Sequence, residues 1–455
     1  MSSVYRDLEE HFGLATDLYE LTMAQVYFDQ RMHAPASFSL FVRSLPRDWG
    51  FFVFAGLDGV LQAIESFRYP PATIDYLGSL GLFSAPFLDF LAGFRFTGEV
   101  HALAEGEIFF PGEPLLEVTA PVVEAQIVET AVINRASLPS LIASKAARSV
   151  LAAPGRSLVD FSARRTQGLE AGLTVARSSY LAGYAGTSNV LAARAFGLPP
   201  YGTMAHSFVT CFDREIEAYR AFAASYPTRP VLLVDTYDTL GGVEKAIAIA
   251  HELEARGERL GGVRLDSGDL ADLARRSRAL LDQAGLRGTT IVASGGLDEH
   301  KIAALVAAGA PIDTFAVGTD LGVSADAPAL DIAYKLAEYA GTPRLKLSTG
   351  KATLAGRKQI YRRRDDHGHV AEDMIATRTE PHPGDGWSAP LLNPVMMDGR
   401  RTGALPSLAE ARARCRDGVA HLPAALTRLR GPASLPVRKS FALSTLQEQA
   451  AHARH

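Results

Sequence analysis

The chain has 455 residues, a formal net charge of −4, 47% apolar residues and 21% charged residues, so it is long enough for two or more folded domains. This charge gives no reason to expect nucleic acid or an anionic membrane as a partner. Two cysteines, an acidic start over 1–20 and the lack of an apolar run of about 18 residues predict a cytoplasmic protein without a disulfide framework, signal peptide or membrane span.

The first third of the chain predicts a mixed domain of helices and strands. Helical spacing predicts a helix over 14–30, and alternating apolar and polar residues predict a half-buried strand over 36–42. The segment 94–118 is rich in β-forming residues and predicts a small antiparallel sheet. A long helix is expected to follow over 125–153.

The middle of the chain has six short apolar runs, each of which ends on polar residues. Such runs are typical of strands that are buried on both faces of a parallel sheet. Helical stretches follow most of them, and this repeated unit predicts an irregular, TIM-like α/β barrel with its ligand site at the C-terminal ends of the strands. The runs are 158–161, 202–205, 231–234, 262–265, 290–293 and 314–317.

The last third returns to strand-like pieces at 344–347 and 359–362, followed by an irregular segment near 380–387. The tail after Ser440 is polar and is expected to be frayed. Three regions are therefore predicted. They are an N-terminal α+β domain (1–135), an α/β barrel (136–340), and a C-terminal segment (341–455) that packs back on the first domain and completes it.

Two glycine turns directly follow predicted strands: Gly295 with Gly296, and Gly318 before Thr319. Glycine lets backbone N–H groups approach a phosphate, and the N-terminus of a following helix adds favourable partial charge. The last loops of an α/β barrel are the usual phosphate site. Tight turns alone also explain these glycines, and both interpretations remain open.

Arg264, Asp266 and Asp269 stand where the fourth apolar run ends. A buried strand rarely ends in charges unless something polar lies there, because an unpaired buried charge is unfavourable. Arg264 is suited to bind a carboxylate through two hydrogen bonds. Asp266 or Asp269 is suited to hold ribose hydroxyls or to reach Mg²⁺ through water. The alternative is an internal Arg–Asp pair that locks the barrel.

Three further strand ends carry residues with useful chemistry. Phe161 is suited to stack on a flat ring, and Arg164 and Arg165 bring charge for an anion, although adjacent arginines are also common on solvated surfaces. His206 is suited to act as acid or base, ligand or nucleophile, or is a packed histidine. Asp235 and Asp238 can orient it or bind a metal. Together these residues predict an enzyme that handles a phosphorylated, anionic ligand.

Eight segments, in this order along the chain, carry a resemblance to a known family: TDLYELTM (16–23), FPGEP (110–114), DFSARR (160–165), GYAGTSN (183–189), GTMAH (202–206), VDTYDT (234–239), GVRLDSGD (262–269) and VGT (317–319). Through them the chain resembles the nicotinate phosphoribosyltransferase family over about 14–339. The resemblance implies a type II phosphoribosyltransferase fold and an enzyme that joins nicotinate to 5-phosphoribosyl 1-pyrophosphate in NAD biosynthesis. It further implies turnover driven by ATP, Mg²⁺ as cofactor, and a homodimer with shared active sites.

The resemblance, together with the chemistry of the strand-end residues described above, assigns roles to single residues, with Tyr19 expected to come from the partner subunit. The catalytic residues are expected to be His206, as a phosphohistidine, with Asp235 and Asp266, which are also candidates for holding Mg²⁺ beside pyrophosphate. Those expected to bind nicotinate are Tyr19, Phe161, Arg164, Ser188, Thr203 and Arg264. Those expected to bind the phosphoribosyl donor are Arg165, Asp269, Gly295, Gly296, Gly318 and Thr319.

Ser188 bears on the choice of pyridine. The related nicotinamide enzyme has an aspartate at the matching position, and a carboxylate there would repel nicotinate, so serine favours the acid. Ser207 departs from family members with an acidic residue after the histidine, and little consequence is expected. The alternatives are nicotinamide or quinolinate phosphoribosyl transfer, and a non-catalytic metabolite sensor. The joint presence of His206, Arg264, Asp266 and the pair Gly318–Thr319 argues against the sensor.

Overall fold

The computed structural model describes residues 12–226, 228–348 and 351–453, so the first part of the acidic start considered above lies outside the described residues. The chain divides into two compact units. One combines the segments Met1–Leu141 and Ala329–His455, and the other is Ile142–Pro328.

The elements are short, and the longest helix is α6. In chain order the helices are α1 (Leu18–Asp29), α2 (Leu57–Ser66), α3 (Pro71–Ser79), α4 (Ala85–Ala92), α5 (Val122–Ile127), α6 (Glu129–Ala152), α7 (Leu169–Leu181), α8 (Val190–Phe196), α9 (His206–Thr210), α10 (Glu215–Ser225), α11 (Thr239–Glu254), α12 (Leu270–Gln283), α13 (Glu299–Ala307), α14 (Thr319–Val323), α15 (Leu408–Ala420) and α16 (Phe441–His452). The strands are β1 (Pro35–Val42), β2 (Phe52–Val53), β3 (Glu99–Ala102), β4 (Ile108–Phe109), β5 (Pro114–Pro121), β6 (Ser157–Asp160), β7 (Gly186–Thr187), β8 (Val231–Leu233), β9 (Gly262–Leu265), β10 (Thr290–Ala293), β11 (Thr314–Val317), β12 (Ile332–Tyr339), β13 (Thr342–Pro343), β14 (Lys358–Arg364), β15 (Val370–Thr377), β16 (Asn393–Met397), β17 (Arg400–Arg401) and β18 (Val437–Lys439).

The unit Ile142–Pro328 is built on a six-stranded parallel sheet with the order β7-β6-β11-β10-β9-β8, which forms a half-barrel. Helices α11, α12 and α13 connect β8 to β9, β9 to β10 and β10 to β11. All four residues of β9 are buried, and three of the four in each of β6, β10 and β11. The predicted α/β fold is thereby confirmed, and five of the six apolar runs contain strands.

The remaining run, 202–205, is not a strand, and that prediction was wrong. Gly202 and Ala205 are exposed, so the run lacks the two buried faces that a strand inside a parallel sheet requires. The two-residue strand β7 takes the edge of the sheet beside β6. The run instead leads directly into α9, which begins at His206.

The other unit contains a seven-stranded sheet with the order β13-β12-β1-β5-β3-β16-β17, whose neighbouring strands pair antiparallel. The strand predicted over 36–42 is β1, and its centre is buried against β5 on one side and β12 on the other. Four of the seven strands, β12, β13, β16 and β17, come from the C-terminal part of the chain. That part therefore completes the N-terminal sheet.

Three local predictions need correction. The helix expected over 125–153 is interrupted at Val128, between α5 and α6. The piece 344–347 is not a strand, whereas 359–362 lies inside β14. The tail after Ser440 is not frayed over its described residues: it forms α16, where the Ser440 hydroxyl accepts a hydrogen bond from the Leu443 N–H at 3.0 Å. Such a cap satisfies a helix N–H that would otherwise lack an acceptor.

Candidate functional site

Arg264, on β9, is the centre of a hydrogen-bond network at the carboxyl ends of the parallel strands. Its Nε donates to Ser294 Oγ at 2.9 Å, and its Nη1 donates to Thr203 Oγ1 at 2.8 Å and to the Met204 carbonyl at 3.1 Å. Its Nη2 donates to Asp266 Oδ1 at 3.0 Å. All three guanidinium nitrogens therefore have protein acceptors, and the internal Arg–Asp pair that the sequence left as an alternative is present.

Asp266 links the loops that follow β8, β9 and β10. Its Oδ1 accepts a bond from Ser294 Oγ at 2.5 Å, and its backbone N–H donates to Asp235 Oδ2 at 2.9 Å. Ser267 Oγ donates to the same Asp235 oxygen at 2.7 Å. Burial opposes ionisation of Asp266, but the bonds from Ser294 and Arg264 outweigh it and hold the pKa of this carboxyl below its usual value. Asp266 is therefore a fixed negative charge at neutral pH.

His206 begins α9, and its side chain is 43% exposed. Its Nδ1 lies 3.1 Å from Thr236 Oγ1, and its Nε2 lies 3.8 Å from Asp266 Oδ2, beyond hydrogen-bond distance. In the tautomer whose Nδ1–H donates a hydrogen bond to the Thr236 hydroxyl oxygen, Nε2 keeps its lone pair. In that tautomer, Nε2 is the ring nitrogen that can accept a proton or a ligand.

Asp160 holds the loops after β6 and β7 together. Its carboxylate accepts bonds from the Ser162 backbone N–H at 2.8 Å, from Ser162 Oγ at 2.5 Å and from Thr187 Oγ1 at 2.7 Å. Burial raises the pKa of Asp160 despite these three bonds. The Ser188 backbone N–H donates to the Asp160 carbonyl at 2.8 Å, which places half-buried Ser188 beside the end of β6.

Phe161 and two arginines follow β6. The guanidinium carbon of Arg264 lies 5.6 Å from the centroid of the Phe161 ring, so a cation packs over this ring. Arg164 and Arg165 are exposed, and within the described ranges no carboxylate forms an ion pair with either of them. Their charges therefore remain available to an anionic ligand.

The two glycine turns differ in what they require. Gly295 has a φ of +91°, and a Cβ there would lie 1.8 Å from the Asp266 carbonyl oxygen, so only glycine fits the close approach of these loops. Gly296 also has a positive φ, of +60°. Gly318 has a negative φ, and a Cβ there would meet Phe161 O at an ordinary 3.5 Å. The close approach of two loops thus requires glycine at Gly295, whereas at Gly318, which precedes the exposed Thr319, a Cβ would meet no clash.

Asp269 has a structural role in addition to its predicted one. Its Oδ1 accepts bonds from the Ala271 and Asp272 N–H groups, each at 3.1 Å, and so caps α12. Asp238 caps α11 and Asp298 caps α13 in the same way. In this unit, a carboxylate that follows a strand can therefore be explained as the N-cap of the next helix, whether or not it also binds a ligand.

Tyr19 lies in the other unit, on α1, and its side chain is 45% exposed. Burial, followed by the carboxylate of Glu129, raises the pKa of Tyr19 above its usual value. The adjacent Glu20 is fully buried and accepts bonds from the backbone N–H and hydroxyl of Thr130, at 3.0 and 2.5 Å. Burial raises the pKa of Glu20 to about 7.

One oxygen in the network is suited to a metal-bound water. Asp235 Oδ1 is buried and has no hydrogen-bond partner in the described part of the chain, although Oδ2 is fully used. The described residues contain no group of three or more His, Cys, Asp or Glu side chains that would hold a metal alone. In the same ranges, no helix has the length and apolar character that crossing a membrane requires.

Sequence reasoning missed Ser294, Thr236 and Thr187 as members of the site. Each is next to a residue or turn that was singled out, and each is a short hydroxyl side chain at a strand end. Hydroxyls are common at loops for many reasons, so only their partners in space reveal their role.

Three family profiles match the chain. The nicotinate phosphoribosyltransferase (NAPRTase) N-terminal domain matches residues 14–137, and the NAPRTase family profile matches 156–364. The nicotinate phosphoribosyltransferase C-terminal domain matches 387–447. Together they extend over both compact units.

Individual proteins agree with these profiles. Nicotinate phosphoribosyltransferase pncB2 of Mycobacterium tuberculosis is 51% identical over 93% of this chain and 90% of its own length. The nicotinate phosphoribosyltransferase of Bacillus subtilis is 38% identical over 82% of this chain and 77% of its own. The crystal structure of human nicotinic acid phosphoribosyltransferase superposes with a TM-score of 0.87, at 31% identity, over 95% of this chain and 99% of that one.

Proposed function

The chain belongs to the nicotinate phosphoribosyltransferase family, and on that premise we propose the roles that its residues play. It is an enzyme of NAD biosynthesis that acts on small-molecule substrates. We propose that nicotinate and 5-phosphoribosyl 1-pyrophosphate react at the strand ends to give nicotinate mononucleotide and pyrophosphate. The observation that carries this proposal is the Arg264 network, which fixes a cation between Thr203, Ser294 and Asp266.

Nicotinate is proposed to lie against Phe161, Thr203 and Arg264. Arg264 supplies a positive charge whose position is set by its acceptors, so it attracts the carboxylate without having to be ordered on binding. Arg164 adds a second, mobile charge. Ser188 carries no negative charge and therefore does not repel the carboxylate of nicotinate, as an aspartate would. Tyr19 is proposed to cover the pyridine ring from a partner subunit.

The phosphoribosyl donor is proposed to lie against the two glycine turns. The open Gly318 turn and exposed Thr319 leave backbone N–H groups accessible to the 5-phosphate, as do Gly295 and Gly296 in the neighbouring loop. Arg165 and Asp269 lie on adjoining loops and complete this proposed subsite. The pyridine nitrogen attacks C1 of the ribose, the bond from C1 to the pyrophosphate oxygen breaks, and pyrophosphate leaves with that electron pair.

The transfer passes through an oxocarbenium-like state, so correct placement of the reactants matters more than nucleophilic push. Mg²⁺, when bound, neutralises charge on the departing pyrophosphate. The unpartnered Asp235 Oδ1 fits a magnesium site of the usual kind, in which one or two carboxylates act through water beside substrate phosphates. Asp266, held anionic by its hydrogen bonds, is the second carboxylate of this proposed site.

We propose that ATP phosphorylates His206 at Nε2. The Thr236 hydroxyl holds the proton on Nδ1, so the Nε2 lone pair attacks the γ-phosphorus, the bond to the β–γ bridging oxygen breaks, and ADP leaves. Depending on the pH, the Nδ1 proton stays on the ring or is released to water. Water later hydrolyses the N–P bond and releases phosphate. Until it is hydrolysed, the phosphoryl group on His206 places two negative charges beside the donor subsite and can order the exposed cations there.

A homodimer with shared sites is proposed on the basis of exposed apolar residues. On α1, Leu18 is 52% exposed and Val26 is 56% exposed, on either side of Tyr19. Complementation tests the sharing: Tyr19→Ala and His206→Ala are each expected to be inactive, and a mixture of the two should regain up to a quarter of wild-type activity. Failure of the mixture to regain activity would refute shared sites. A cytoplasmic location is also proposed, and the free thiols of Cys211 and Cys415 fit a reducing compartment.

A product assay tests the function as a whole. The purified protein is incubated with the phosphoribosyl donor, with or without ATP, and with nicotinate, nicotinamide or quinolinate. Nicotinate mononucleotide should form fastest, and ATP should increase its yield. A preference for either other pyridine would overturn the assignment. Label from γ-³²P ATP should appear on wild type and not on His206→Ala.

Arg264→Met tests the role of the Arg264 hydrogen-bond network, and Arg278→Met is its matched control. Arg278 is also partly buried and donates to carbonyls of Leu286 and Thr289, but these lie at the amino end of β10, away from the proposed site. Arg264→Met should lower kcat/KM for nicotinate by at least 100-fold. Arg278→Met should leave it within a factor of three, and equal losses in the two variants would refute the proposal.

A further inference from the structure

A buried lysine on α6, Lys145, contacts acidic residues in the two helices that follow the glycine turns. Its Nζ lies 2.6 Å from Glu299 Oε2, 2.9 Å from Asp320 Oδ2 and 2.7 Å from Asp326 Oδ1. Glu299 is the first residue of α13, which follows the turn after β10. Asp320 is the second residue of α14, which follows the turn after β11. One ammonium group therefore joins the two helices that the two turns lead into.

The centre of the network is closed to water. The side chains of Lys145 and Glu299 are 1% and 0% exposed, whereas those of Asp320 and Asp326, at its edge, are 18% and 35% exposed. Arg148, one turn further along α6, holds the other Glu299 oxygen at 3.1 Å. Two cations thus meet three carboxylates. Since the geometry of a buried ion pair is held tightly once the charges are desolvated, this network is a rigid connection rather than a surface contact.

We propose that Lys145 is a positioning residue for the phosphoribosyl donor: by holding Glu299 and Asp320 together, it sets the spacing between the two glycine turns. This inference rests on the proposed function, in which both turns bind the 5-phosphate. Backbone N–H groups from two loops can meet one phosphate only at a fixed separation, and an error of about 1 Å can lower the rate 100-fold. Lys145 itself touches neither substrate.

Two alanine variants form a matched pair for the test. Asp320 and Asp326 both contact the Lys145 ammonium, but only Asp320 lies in the first turn of the helix after Gly318. Asp320→Ala should raise KM for 5-phosphoribosyl 1-pyrophosphate at least tenfold and change KM for nicotinate less than twofold. Asp326→Ala should change both less than twofold. Equal effects of the two variants on the donor KM, or none for Asp320→Ala, would overturn the proposal.

Lys145→Met and Lys145→Arg supply a second measurement. Lys145→Met removes the bridge and should raise the donor KM as Asp320→Ala does, whereas Lys145→Arg keeps the charge and should recover at least a third of the loss. Should Lys145→Met fail to fold, the alanine pair still decides the matter. Equal donor KM values for folded Lys145→Met and wild type would contradict the positioning role.

Failure of this inference can be told apart from failure of the proposed donor subsite. Thr319→Val and Gly318→Val alter the turn itself and keep Lys145, Glu299 and Asp320 as residues. If neither variant raises the donor KM, the turn does not bind the donor, and the function proposed for it is wrong. If both variants raise the donor KM while Asp320→Ala does not, the proposed donor subsite is supported and only the proposed role of Lys145 is wrong.

Discussion

Replacing Gly295 with alanine is the sharpest test of the strand-end site. The added Cβ would lie 1.8 Å from the Asp266 carbonyl oxygen, and ordinary contact begins at 3.4 Å, so the loops after β9 and β10 must separate by about 1.6 Å. The substitution also places alanine at a φ of +91°, which costs about 1 kcal/mol by itself. The displacement acts on Ser294 and Asp266, the two partners that orient Arg264.

Misplacement of a reacting group by about 1 Å can lower a rate 100-fold, which corresponds to about 2.7 kcal/mol of transition-state stabilisation. We therefore expect Gly295→Ala to lower kcat/KM for nicotinate at least 100-fold, measured by formation of nicotinate mononucleotide. Gly285→Ala is the matched control. Gly285 has a similar φ of +82°, but no atom lies within 4 Å of its Cβ position.

The control separates backbone strain from loop displacement. Gly285→Ala should lower the free energy of unfolding by about 1 kcal/mol and leave kcat/KM within a factor of two. Wild-type activity in Gly295→Ala would show that the spacing of these loops does not matter to the reaction. Equal losses of activity in both variants would trace the effect to stability, and would also refute the reasoning.

Three further predictions concern single side chains. Ser188→Asp should raise KM for nicotinate at least tenfold, and an unchanged value would remove Ser188 from the pyridine site. Thr236→Val removes the hydroxyl partner of His206 Nδ1 and should slow labelling by γ-³²P ATP at least tenfold, which a time course with His206→Ala as the blank measures. The raised pKa of Glu20, about 7 against 4.5 in the unfolded chain, means that the folded state binds its proton more tightly. The stability that this proton contributes is present below pH 4.5 and is lost as pH rises to 7. The free energy of unfolding of wild type, measured in urea, should therefore fall by about 3 kcal/mol over this range, and that of Glu20→Gln should not. Parallel pH curves for the two proteins would contradict this prediction.

The sequence predicted the parallel strands well because four-residue apolar runs have few alternatives when both faces are buried. It failed at 202–205, where apolar character was present but the chain is exposed at Gly202 and Ala205. It also gave no sign of β7, which has only two residues, Gly186 and Thr187. Pairing partners, not composition, decide whether such short segments are strands.

Within the site, the positions of charged residues were predictable but their partners were not. Arg264, Asp266 and the glycine turns stand at strand ends that the sequence marks. The bond between Lys145 and Glu299 joins residues 154 apart in the chain, and no spacing rule connects them. Asp269 shows a second difficulty: a helix cap and a ligand carboxylate have the same sequence signature after a strand.

The proposed site uses two kinds of cation, and the difference has a physical reason. Ser294 and Asp266 hold the Arg264 side chain, so its charge contributes to binding with little further loss of entropy. Arg164 and Arg165 are exposed, and ordering each long side chain opposes binding by up to about 2 kcal/mol. A fixed charge suits the small, flat carboxylate of nicotinate, which must present its ring nitrogen at one angle. The mobile charge of Arg165 suits the phosphate groups of the donor, which arrive, react and leave as different species within one turnover, and that of Arg164 adds to the fixed charge at the nicotinate carboxylate.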